Sequence, residues 1–267
     1  MAIKMKLEDW WFWYDKITET FGFSKDDDQK AADVLSTLTA DKAFNLKDIR
    51  KKIKGKVAIV FGAGPSLEND IRRVKNLGFH KSYVIISADG ATTPLLMVGV
   101  VPDVVVTDLD GRIEDIFEAQ RRGAIIVVHA HGNNIKTLRK YVTRFNSGIL
   151  GTTQVYPRPN VYNFGGFTDG DRCVFLSEEF GARLIILTGM DLGPIVGKYS
   201  KPFLKKNSKA DMTKHKKLKM AEELLSWFSE RSMTRIINFT SSGKQIDKIE
   251  NVSSLNILSL KGPREVL

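Results

Sequence analysis

The chain has 267 residues, a formal net charge of +10 and a single cysteine, Cys173. This length suffices for one large α/β domain whose core needs no metal, and one cysteine excludes an intramolecular disulfide and a multi-cysteine zinc site. No stretch reaches the roughly 20 apolar residues of a membrane span, and acidic residues occupy the start, where a signal peptide would be apolar. We therefore expect a soluble, cytoplasmic protein without a membrane partner.

Residues 1–53 predict an N-terminal helical region. An apolar stripe that includes Trp10 and Ile17 at helical spacing indicates a helix over 8–22, and a second amphipathic helix follows over roughly 28–40. Periodicity alone accounts for the aromatic residues of the first helix, which are typical of a core or a dimer face rather than of a ligand cage. The sequence leaves open whether the protein forms a homodimer.

The sequence pattern predicts an α/β core over residues 54–200. A basic linker at 51–56 leads into this core. Short runs of β-branched and apolar residues alternate here with amphipathic helices. This pattern is typical of a Rossmann-like, mostly parallel sheet with helices on both faces and right-handed crossovers. The predicted strands are 57–61, 83–88, 104–107, 124–129, 148–150, 161–164 and 184–188. The predicted helices are 66–77, 92–98, 113–122, 133–144 and 169–181.

Residues 201–267 predict a C-terminal region that packs on this core. It begins with a lysine-rich mobile loop, and a helix follows over 211–230, with Ser208 and Asp211 as its capping pair. The remaining predicted elements are a strand over 235–239 and a turn at 241–243.

The positive charge is concentrated at 198–219, which holds nine lysines and one acid. A basic surface supplies non-specific affinity for phosphates, but no nucleic-acid-binding motif accompanies these lysines. We therefore expect small anionic substrates rather than nucleic acid. A merely solvated lysine face is the alternative.

Carboxylates follow two of the predicted strands. Asp89 ends the second strand, and Asp108 and Asp110 follow the third. Residues two apart in an extended chain point the same way, so both acids of the third strand can face one volume that Asp89 reaches from its neighbour. Three carboxylates at the carboxyl ends of parallel strands suit Mg²⁺, whereas the alternative is that some of them are turn or cap residues.

The segment GAGPSL at 62–67 joins the first strand to a helix through a glycine-rich turn. Amides at the start of that helix could hold a phosphate, and Ser66 adds a hydroxyl. The third glycine of a dinucleotide fingerprint is replaced by Leu67, so a tight turn without a ligand is the alternative.

The segment HAHGNN at 129–134 follows the fourth strand. His129 and His131 could in principle bind zinc together with a neighbouring acid, but an all-oxygen cluster favours Mg²⁺ and leaves the histidines to bind phosphate or loop backbone. Three later motifs, GTTQ, FTDGDR and TGMDLG, bring further polar side chains toward the same edge. These are Thr152, Gln154, Thr168, Asp169, Asp171 and Asp191. The structural alternative for Asp169 is that it caps the helix at 169–181.

The run DGA, LL, G-x-x-PD and TDLDG resembles the catalytic core of the thiamine pyrophosphokinases. The closer resemblance is to the archaeal 6-hydroxymethyl-7,8-dihydropterin pyrophosphokinases, because GAGPSL, HAHGNN, FTDGDR and TGMDLG also match in the expected order. Together these segments span about half of the chain. The resemblance implies a fold like the thiamine pyrophosphokinase catalytic domain and a Mg²⁺-dependent transfer of diphosphate from ATP to a reduced pterin.

The same resemblance implies roles for the candidate residues. Asp89, Asp108 and Asp110 would be catalytic and would hold one or two Mg²⁺ ions. The residues expected to bind ATP are Gly62, Gly64, Ser66, Gly90, His131, Asn133, Lys198 and Lys214, with Lys201 as a further lysine able to close over the triphosphate. The residues expected to bind the pterin are Thr152, Gln154, Thr168, Asp169, Asp171 and Asp191. Asp171 and Asp191 are the candidates for its guanidine-like edge, because a carboxylate can accept two hydrogen bonds there.

Three other functions remain open at this point. A thiamine pyrophosphokinase would carry a similar acidic core, and spacing alone does not separate its alcohol substrate from a pterin. A sugar-nucleotide-dependent glycosyltransferase would also use an Asp-x-Asp pair for its metal. A non-catalytic nucleotide-binding module would place Asp89 on a ribose, would need no divalent metal, and would leave Asp108 and Asp110 unexplained.

Overall fold

The apolar runs form a nine-stranded sheet in which every pair of neighbouring strands is parallel. The computed structural model describes residues 6–42, 44–78, 83–146, 148–241 and 245–254. The strands of the described chain are β1 (Val57–Phe61), β2 (Val84–Ala88), β3 (Val104–Thr107), β4 (Ile125–Ala130), β5 (Leu150–Thr153), β6 (Val161–Tyr162), β7 (Leu184–Thr188), β8 (Ile195–Val196), β9 (Ser208–Lys209), β10 (Arg235–Asn238) and β11 (Glu250–Asn251).

The α-helices of the described chain cover the sheet and extend it at its N-terminal side. They are α1 (Leu7–Phe21), α2 (Lys25–Leu38), α3 (Leu46–Ile53), α4 (Leu67–Asn76), α5 (Thr92–Met97), α6 (Ile113–Arg121), α7 (Ile135–Tyr141), α8 (Asp169–Glu179) and α9 (Met212–Arg231). Short 3₁₀ turns precede α5 and α7 and follow α7. None of these helices is long and apolar enough to cross a membrane.

Alternate residues of β1 pack against opposite faces of the sheet, as the two-residue period of a strand requires. Ile59 and Phe61 belong to the apolar cluster that contains Ile71 of α4. Ala58 and Val60 belong to the larger cluster that also includes α8. Both faces of the central strands are therefore buried under helices, and the predicted mostly parallel α/β sheet is confirmed.

The strand order, β11-β10-β7-β1-β2-β3-β4-β5-β6, fixes where the sheet can bind a ligand. From β1 the chain advances strand by strand toward β6, and it then returns to place β7 and β10 on the other side of β1. Ligands of open parallel sheets bind at the carboxyl ends of the strands, beside the point where the order reverses. That point lies between β1 and β7.

The N-terminal helices pack at the β4–β6 side of the sheet, where α2 contacts β4, β5 and α7. In α1, Trp10 and Ile17 are fully buried, and the Trp10 indole donates to the carbonyl oxygen of Gln154 at 2.8 Å. The predicted linker at 51–56 is partly wrong, because its first residues complete α3. Ile49 and Ile53 are fully buried four residues apart on that helix, so its lysines occupy the outer face.

The loop predicted after residue 200 is instead part of a hairpin, in which β8 pairs antiparallel with β9. Ser208 belongs to β9, and Asp211 alone caps α9 by accepting from the Lys214 amide at 2.6 Å. The strand predicted at 148–150 begins at Leu150 instead. Most of the turn predicted at 241–243 lies outside the described residues.

Candidate active site

A cleft of about 560 Å³ opens at the carboxyl ends of the parallel strands. The loops that follow β1 to β5 and β7 form its floor, the turn between α1 and α2 closes one end, and the β8–β9 hairpin and α9 form its rim. The sheet therefore delivers side chains that are distant in sequence to one volume, at the edge where its topology predicts a ligand.

Three carboxylates meet in this cleft. Asp89 follows β2, Asp108 follows β3, and Asp169 is the first residue of α8, and each offers an oxygen within 4.8 Å of the others. The Oδ1 atom of Asp89 is buried and has no hydrogen-bond partner in the part of the chain that the structure describes. A Cβ at Gly111 would lie only 1.5 Å from this oxygen, so only glycine fits beside the Asp89 carboxylate. A buried, unpartnered carboxylate oxygen in an all-oxygen cluster fits a hard cation such as Mg²⁺.

The pKa values of the three clustered carboxyl groups are shifted in different directions. Burial and the charge of Asp108 raise the pKa of Asp89 to about 7. Burial also raises the pKa of Asp169 well above its ordinary value, and the charges of Asp108 and Asp89 add to the effect. For Asp108, burial is outweighed by the hydrogen bond from His131 and by the charge of Lys201, which lower its pKa to about 2. Repulsion among these acids is the penalty that a bound cation would relieve.

Asp110 lies in the cleft but outside this group of three carboxylates. Leu109 adopts a left-handed conformation (φ 65°) and its amide donates to Thr107 Oγ1 at 2.8 Å, so the chain does not continue as an extended strand. The carboxylate of Asp110 instead pairs with Lys201. Asp108 and Asp110 both face the cleft, as expected, and their carboxyl groups interact. Asp169, however, completes the tight group of three carboxylates in place of Asp110.

His131 supports Asp108. Its Nδ1 accepts from the Asn133 amide at 3.3 Å, so its proton lies on Nε2. Nε2 lies 3.3 Å from Asp108 Oδ2, so the ring donates to that carboxylate. The Asn134 side chain donates to the backbone oxygens of Asp108 and His129 at 3.0 and 2.7 Å and ties the two loops together.

His129 is engaged at both ring nitrogens. Arg172, which is fully buried, donates to its Nε2 at 3.1 Å, and Nδ1 lies 3.3 Å from Thr152 Oγ1. Burial and the charge of Arg172 hold the pKa of His129 well below its ordinary value, so the ring is neutral. These contacts occupy the nitrogens that a zinc ion would need. They also turn Thr152 away from the cleft, contrary to the prediction that it binds substrate.

The glycine-rich turn after β1 is pressed against the end of β7. The amides of Gly62 and Gly64 donate to the carbonyl oxygens of Thr188 and Gly189, both at 2.8 Å. A Cβ at Gly64 would lie 2.0 Å from Asp191 Oδ2. The turn therefore forms one wall of the cleft. The amides of Gly62 and Gly64, however, are already hydrogen-bonded within the protein.

Ser66 does not face the cleft, which corrects its predicted contact with ATP. Its hydroxyl lies 2.8 Å from Asp191 Oδ2 and 3.0 Å from Asp70 Oδ2, and its amide donates to Asp191 at 3.3 Å. Asp70 also accepts from the Gly189 amide at 2.9 Å. This buried network holds the loops after β1 and β7 together.

Lysines form the basic side of the cleft. Lys201, Lys214 and Lys217 line it, and burial lowers the pKa of the latter two, helped by the positive charge of Lys201. Lys198 points elsewhere, because its ammonium pairs with Glu68 at 3.0 Å, so its predicted contact with ATP is not seen. The hairpin packs closely here, since a Cβ at Gly90 would lie 2.1 Å from the Tyr199 carbonyl oxygen.

The cleft brings together most of the residues selected from the sequence. The selected residues that line it are Gly62, Gly64, Asp89, Gly90, Asp108, Asp110, His131, Asn133, Gln154, Thr168, Asp169, Asp191 and Lys214. Asp171 does not line it, because its oxygens accept from the amides of Phe167 and Thr168 at 2.6 and 2.7 Å. Thr168 is the N-cap residue of α8, so the cap is not Asp169.

Several lining residues had no motif to mark them. Phe23 comes from the turn between α1 and α2, and Asp28 of α2 accepts from the Gly132 amide and the Gln154 side chain, both at 2.7 Å. Lys217 lies three residues after Lys214, on the same face of α9. That spacing was the one available sequence signal for Lys217.

The fold and the cleft define a parallel α/β protein with an acidic, lysine-rimmed ligand site at the carboxyl edge of its sheet. Comparison with known proteins identifies the family. The chain belongs to the 6-hydroxymethylpterin diphosphokinase MptE-like family, whose model matches residues 35–196. The resemblance inferred from the motifs is confirmed.

Three similar proteins carry the name 6-hydroxymethyl-7,8-dihydropterin pyrophosphokinase. The protein from Pyrococcus furiosus is 46% identical over 237 residues, which are 88% of this chain and 100% of that protein. The protein from Methanothermobacter thermautotrophicus is 44% identical, covering 87% of this chain and 99% of the relative. The protein from Methanocaldococcus jannaschii is 42% identical, covering 85% and 97%.

Solved structures resemble the fold at low sequence identity. The Maf glycosyltransferase from Magnetospirillum magneticum AMB-1 superposes with a TM-score of 0.51 at 16% identity over 91% of this chain. This chain spans 40% of that protein, and the likeness concerns the fold alone. The thiamine pyrophosphokinase from Bacillus subtilis gives a TM-score of 0.33 at 16% identity, covering 67% of this chain and 58% of the other.

Proposed function

We propose that this protein transfers diphosphate from ATP to the hydroxymethyl group of 6-hydroxymethyl-7,8-dihydropterin, with Mg²⁺, and releases AMP. The observation that carries the proposal is the cluster of Asp89, Asp108 and Asp169 facing lysines in one cleft. The names of the similar archaeal proteins support a diphosphokinase that acts on a pterin. The product would serve pterin biosynthesis of the tetrahydromethanopterin or folate type.

The donor set supports a magnesium site. Asp89, Asp108 and Asp169 would hold the ion, and within this group the buried Oδ1 of Asp89 has no hydrogen-bond partner in the described chain. Bound Mg²⁺ would neutralise charge on the triphosphate. Asp110 lies beside this group and would hold Lys201 at the edge of the same site.

The reaction places defined demands on these residues. The hydroxymethyl oxygen forms a bond to the β-phosphorus of ATP, the bond from that phosphorus to the α–β bridging oxygen breaks, and the bridging oxygen leaves with AMP. The hydroxyl proton passes to solvent. Such transfers depend on positioning and on compensation of charge more than on covalent catalysis, so we assign no general base.

Cationic side chains of this chain would bind the phosphates. Lys214 reaches the cleft from α9, and Lys201 approaches from the hairpin between β8 and β9. Each ammonium offers three donors and a compact charge, which suit phosphate oxygens. His131 would act as a positioning residue and not as a catalytic one, because its Nε2–H group donates to Asp108 and orients that carboxylate.

Product analysis tests the proposal. Purified protein is mixed with ATP, Mg²⁺ and 6-hydroxymethyl-7,8-dihydropterin, and a parallel sample contains thiamine instead of the pterin. We expect equal amounts of AMP and pterin diphosphate in the first sample and no AMP in the second. AMP formed only with thiamine would overturn the substrate, and no AMP in either sample would overturn the reaction. The Asp108→Asn variant serves as the control for a contaminating activity.

A further inference from the structure

The cleft has two chemically different ends on either side of the acid cluster. What we call the glycine end is formed by Gly62, Gly64, Gly189 and Gly197, where the loops after β1 and β7 meet the hairpin. What we call the aromatic end is formed by Phe23, Phe167 and Lys217. The glycine end lies at the reversal of strand order between β1 and β7, whereas the aromatic end lies toward the N-terminal helices.

The rings of the aromatic end form one wall. Phe21 packs behind both of them, with its ring centroid 5.5 Å from that of Phe23 and 5.3 Å from that of Phe167. The Lys217 ammonium lies 5.2 Å from the Phe23 centroid and 6.0 Å from the Phe167 centroid. Two aromatic faces and a cation therefore border the same space, an arrangement that favours a flat ring carrying a hydrogen-bond acceptor.

Both phenylalanines lie in turns whose backbone is fixed by helix-capping interactions. Phe23 lies between Gly22, which ends α1 in a left-handed conformation (φ 66°), and Ser24, whose side chain caps α2. The Phe167 amide donates to Asp171 at 2.6 Å, where that acid completes the capping box of α8. The carboxylate of Asp171, which does not reach the cleft, thus fixes a ring that does.

Topology assigns the nucleotide to the other end. Nucleotides of open parallel sheets bind beside the reversal of strand order, where the glycine end is located. The glycines there let the loops after β1 and β7 and the hairpin approach one another closely. Among the described lining residues, the glycine end has no aromatic side chain that would favour the pterin ring there. The acid cluster then lies between the two ends, where a diphosphate passing from one ligand to the other must be.

We infer that the aromatic end holds the ring of the acceptor pterin, with Phe23 and Phe167 against its face and Lys217 donating to its oxo group. This inference rests on the proposed function, and it assigns specificity for the acceptor to the turn between α1 and α2 and to α9. These two elements lie outside residues 35–196, which the family model matches, whereas Phe167 lies inside that range. The hydroxymethyl arm then points from the ring toward the acid cluster.

Steady-state kinetics of Phe23→Leu and Phe167→Leu test the inference, with Phe12→Leu as the matched control. Phe12 is 68% exposed on α1 and does not line the cleft. We expect both cleft variants to raise KM for the pterin at least tenfold while KM for ATP stays within about twofold, because one aromatic face is lost on one substrate only. Phe12→Leu should change neither constant.

Equilibrium binding gives a second readout without turnover. Oxidised 6-hydroxymethylpterin is fluorescent, and its Kd is measured by titration with each variant in the absence of ATP. Lys217→Met extends the test if a phenylalanine variant unfolds, and we expect it to weaken pterin binding at least fivefold. An unchanged pterin Kd in the folded variants, or a rise in KM for ATP instead, would overturn the inference. Failure of the wild-type protein to form pterin diphosphate would overturn the proposed function itself.

Discussion

The carboxylate of Asp169, at the first position of α8, lies within 4.8 Å of the carboxylate of Asp89, at the end of β2. The loop before α8 brings this helix start over the strands, so a residue predicted to bind the pterin, with a helix cap as the alternative, becomes a partner of the strand-end acids. Two positions further on, Asp171 completes the capping box with the N-cap residue Thr168. Two neighbouring acids at one helix start therefore have separable roles.

Asp169→Asn and Asp171→Asn separate these roles experimentally. Asp169→Asn should weaken Mg²⁺ binding at least tenfold and lower kcat at least 100-fold, because it removes one of three clustered carboxylates. Asp171→Asn should instead lower the free energy of unfolding by about 1 to 2 kcal/mol with Mg²⁺ affinity nearly unchanged, since it damages a capping box. Calorimetric Mg²⁺ titration and thermal unfolding measure the two effects. Equal loss of Mg²⁺ affinity in both variants would contradict the assignment.

The strand-end acids show how far sequence reasoning reaches. Asp89 and Asp108 were predictable as neighbours, because parallel strands that are buried on both faces end at one edge. The pairing of Asp110 with Lys201 was not predictable, since the left-handed conformation of Leu109 sets the path of the chain at Asp110. Asp169 required knowledge of the path of the loop before α8, which no local pattern encodes.

Residues from outside the sheet were the least accessible to sequence reasoning. Phe23 and Lys217 enter the cleft because α1 and α9 pack against each other, as the rings of Trp13 and Trp227 at 5.7 Å show. Helical periodicity predicted both helices and their apolar faces, but not which end of each helix meets the sheet edge. Tertiary packing decides that. Thr152 is kept from the site by a different contact, with His129 on the neighbouring strand β4.

The raised pKa of Asp89 predicts a pH-dependent cost in stability for the metal-free protein. Below the ordinary pKa of 3.8, the carboxyl group is protonated in both the folded and the unfolded state and costs nothing. As the pH rises from 3.8 toward the folded-state pKa of about 7, Asp89 ionises in the unfolded state but not in the folded state, so the free energy of unfolding falls. Above about pH 7 the group is ionised in both states, and the loss of stability stays constant. Asp89→Asn should therefore raise the free energy of unfolding by a few kcal/mol at pH 8.

Thermal unfolding in EDTA at pH 4 and pH 8 measures this effect. The gain from Asp89→Asn should be present at pH 8 and nearly absent at pH 4. An asparagine oxygen can still accept from Thr107 Oγ1 and the Gly111 amide, so the variant keeps the hydrogen bonds of Asp89 Oδ2. Added Mg²⁺ should stabilise the wild-type protein and not the variant. A pH-independent gain would show that burial of the charge is not its cause.

Lys214 and Lys198 provide a matched pair of lysines for testing the basic side of the cleft. Lys214→Met should lower kcat/KM for ATP roughly 10- to 100-fold, because it removes a cation that lines the cleft and leaves the amide that caps α9 intact. Lys198→Met should change it by less than about threefold, since Lys198 pairs with Glu68 at the surface. Initial rates at varied ATP concentration give kcat/KM for both variants. Equal losses in the two variants would contradict the assignment of Lys214 and would indicate that the phosphates bind nearer the outer part of the hairpin.

Gly64→Ala tests the close contact between the loops after β1 and β7. A Cβ at this position would lie 2.0 Å from Asp191 Oδ2 and 2.5 Å from the Gly189 carbonyl oxygen, so the two loops must separate. We expect a loss of about 2 to 4 kcal/mol in the free energy of unfolding and a marked rise in KM for ATP, because the glycine end of the cleft is distorted. Gly193→Ala is the control, since its Cβ would meet one atom at 3.7 Å and should cost less than about 0.5 kcal/mol. Denaturant unfolding and initial rates for both variants check the expectation. A Gly64→Ala protein as stable and active as the control would show that the two loops separate without cost.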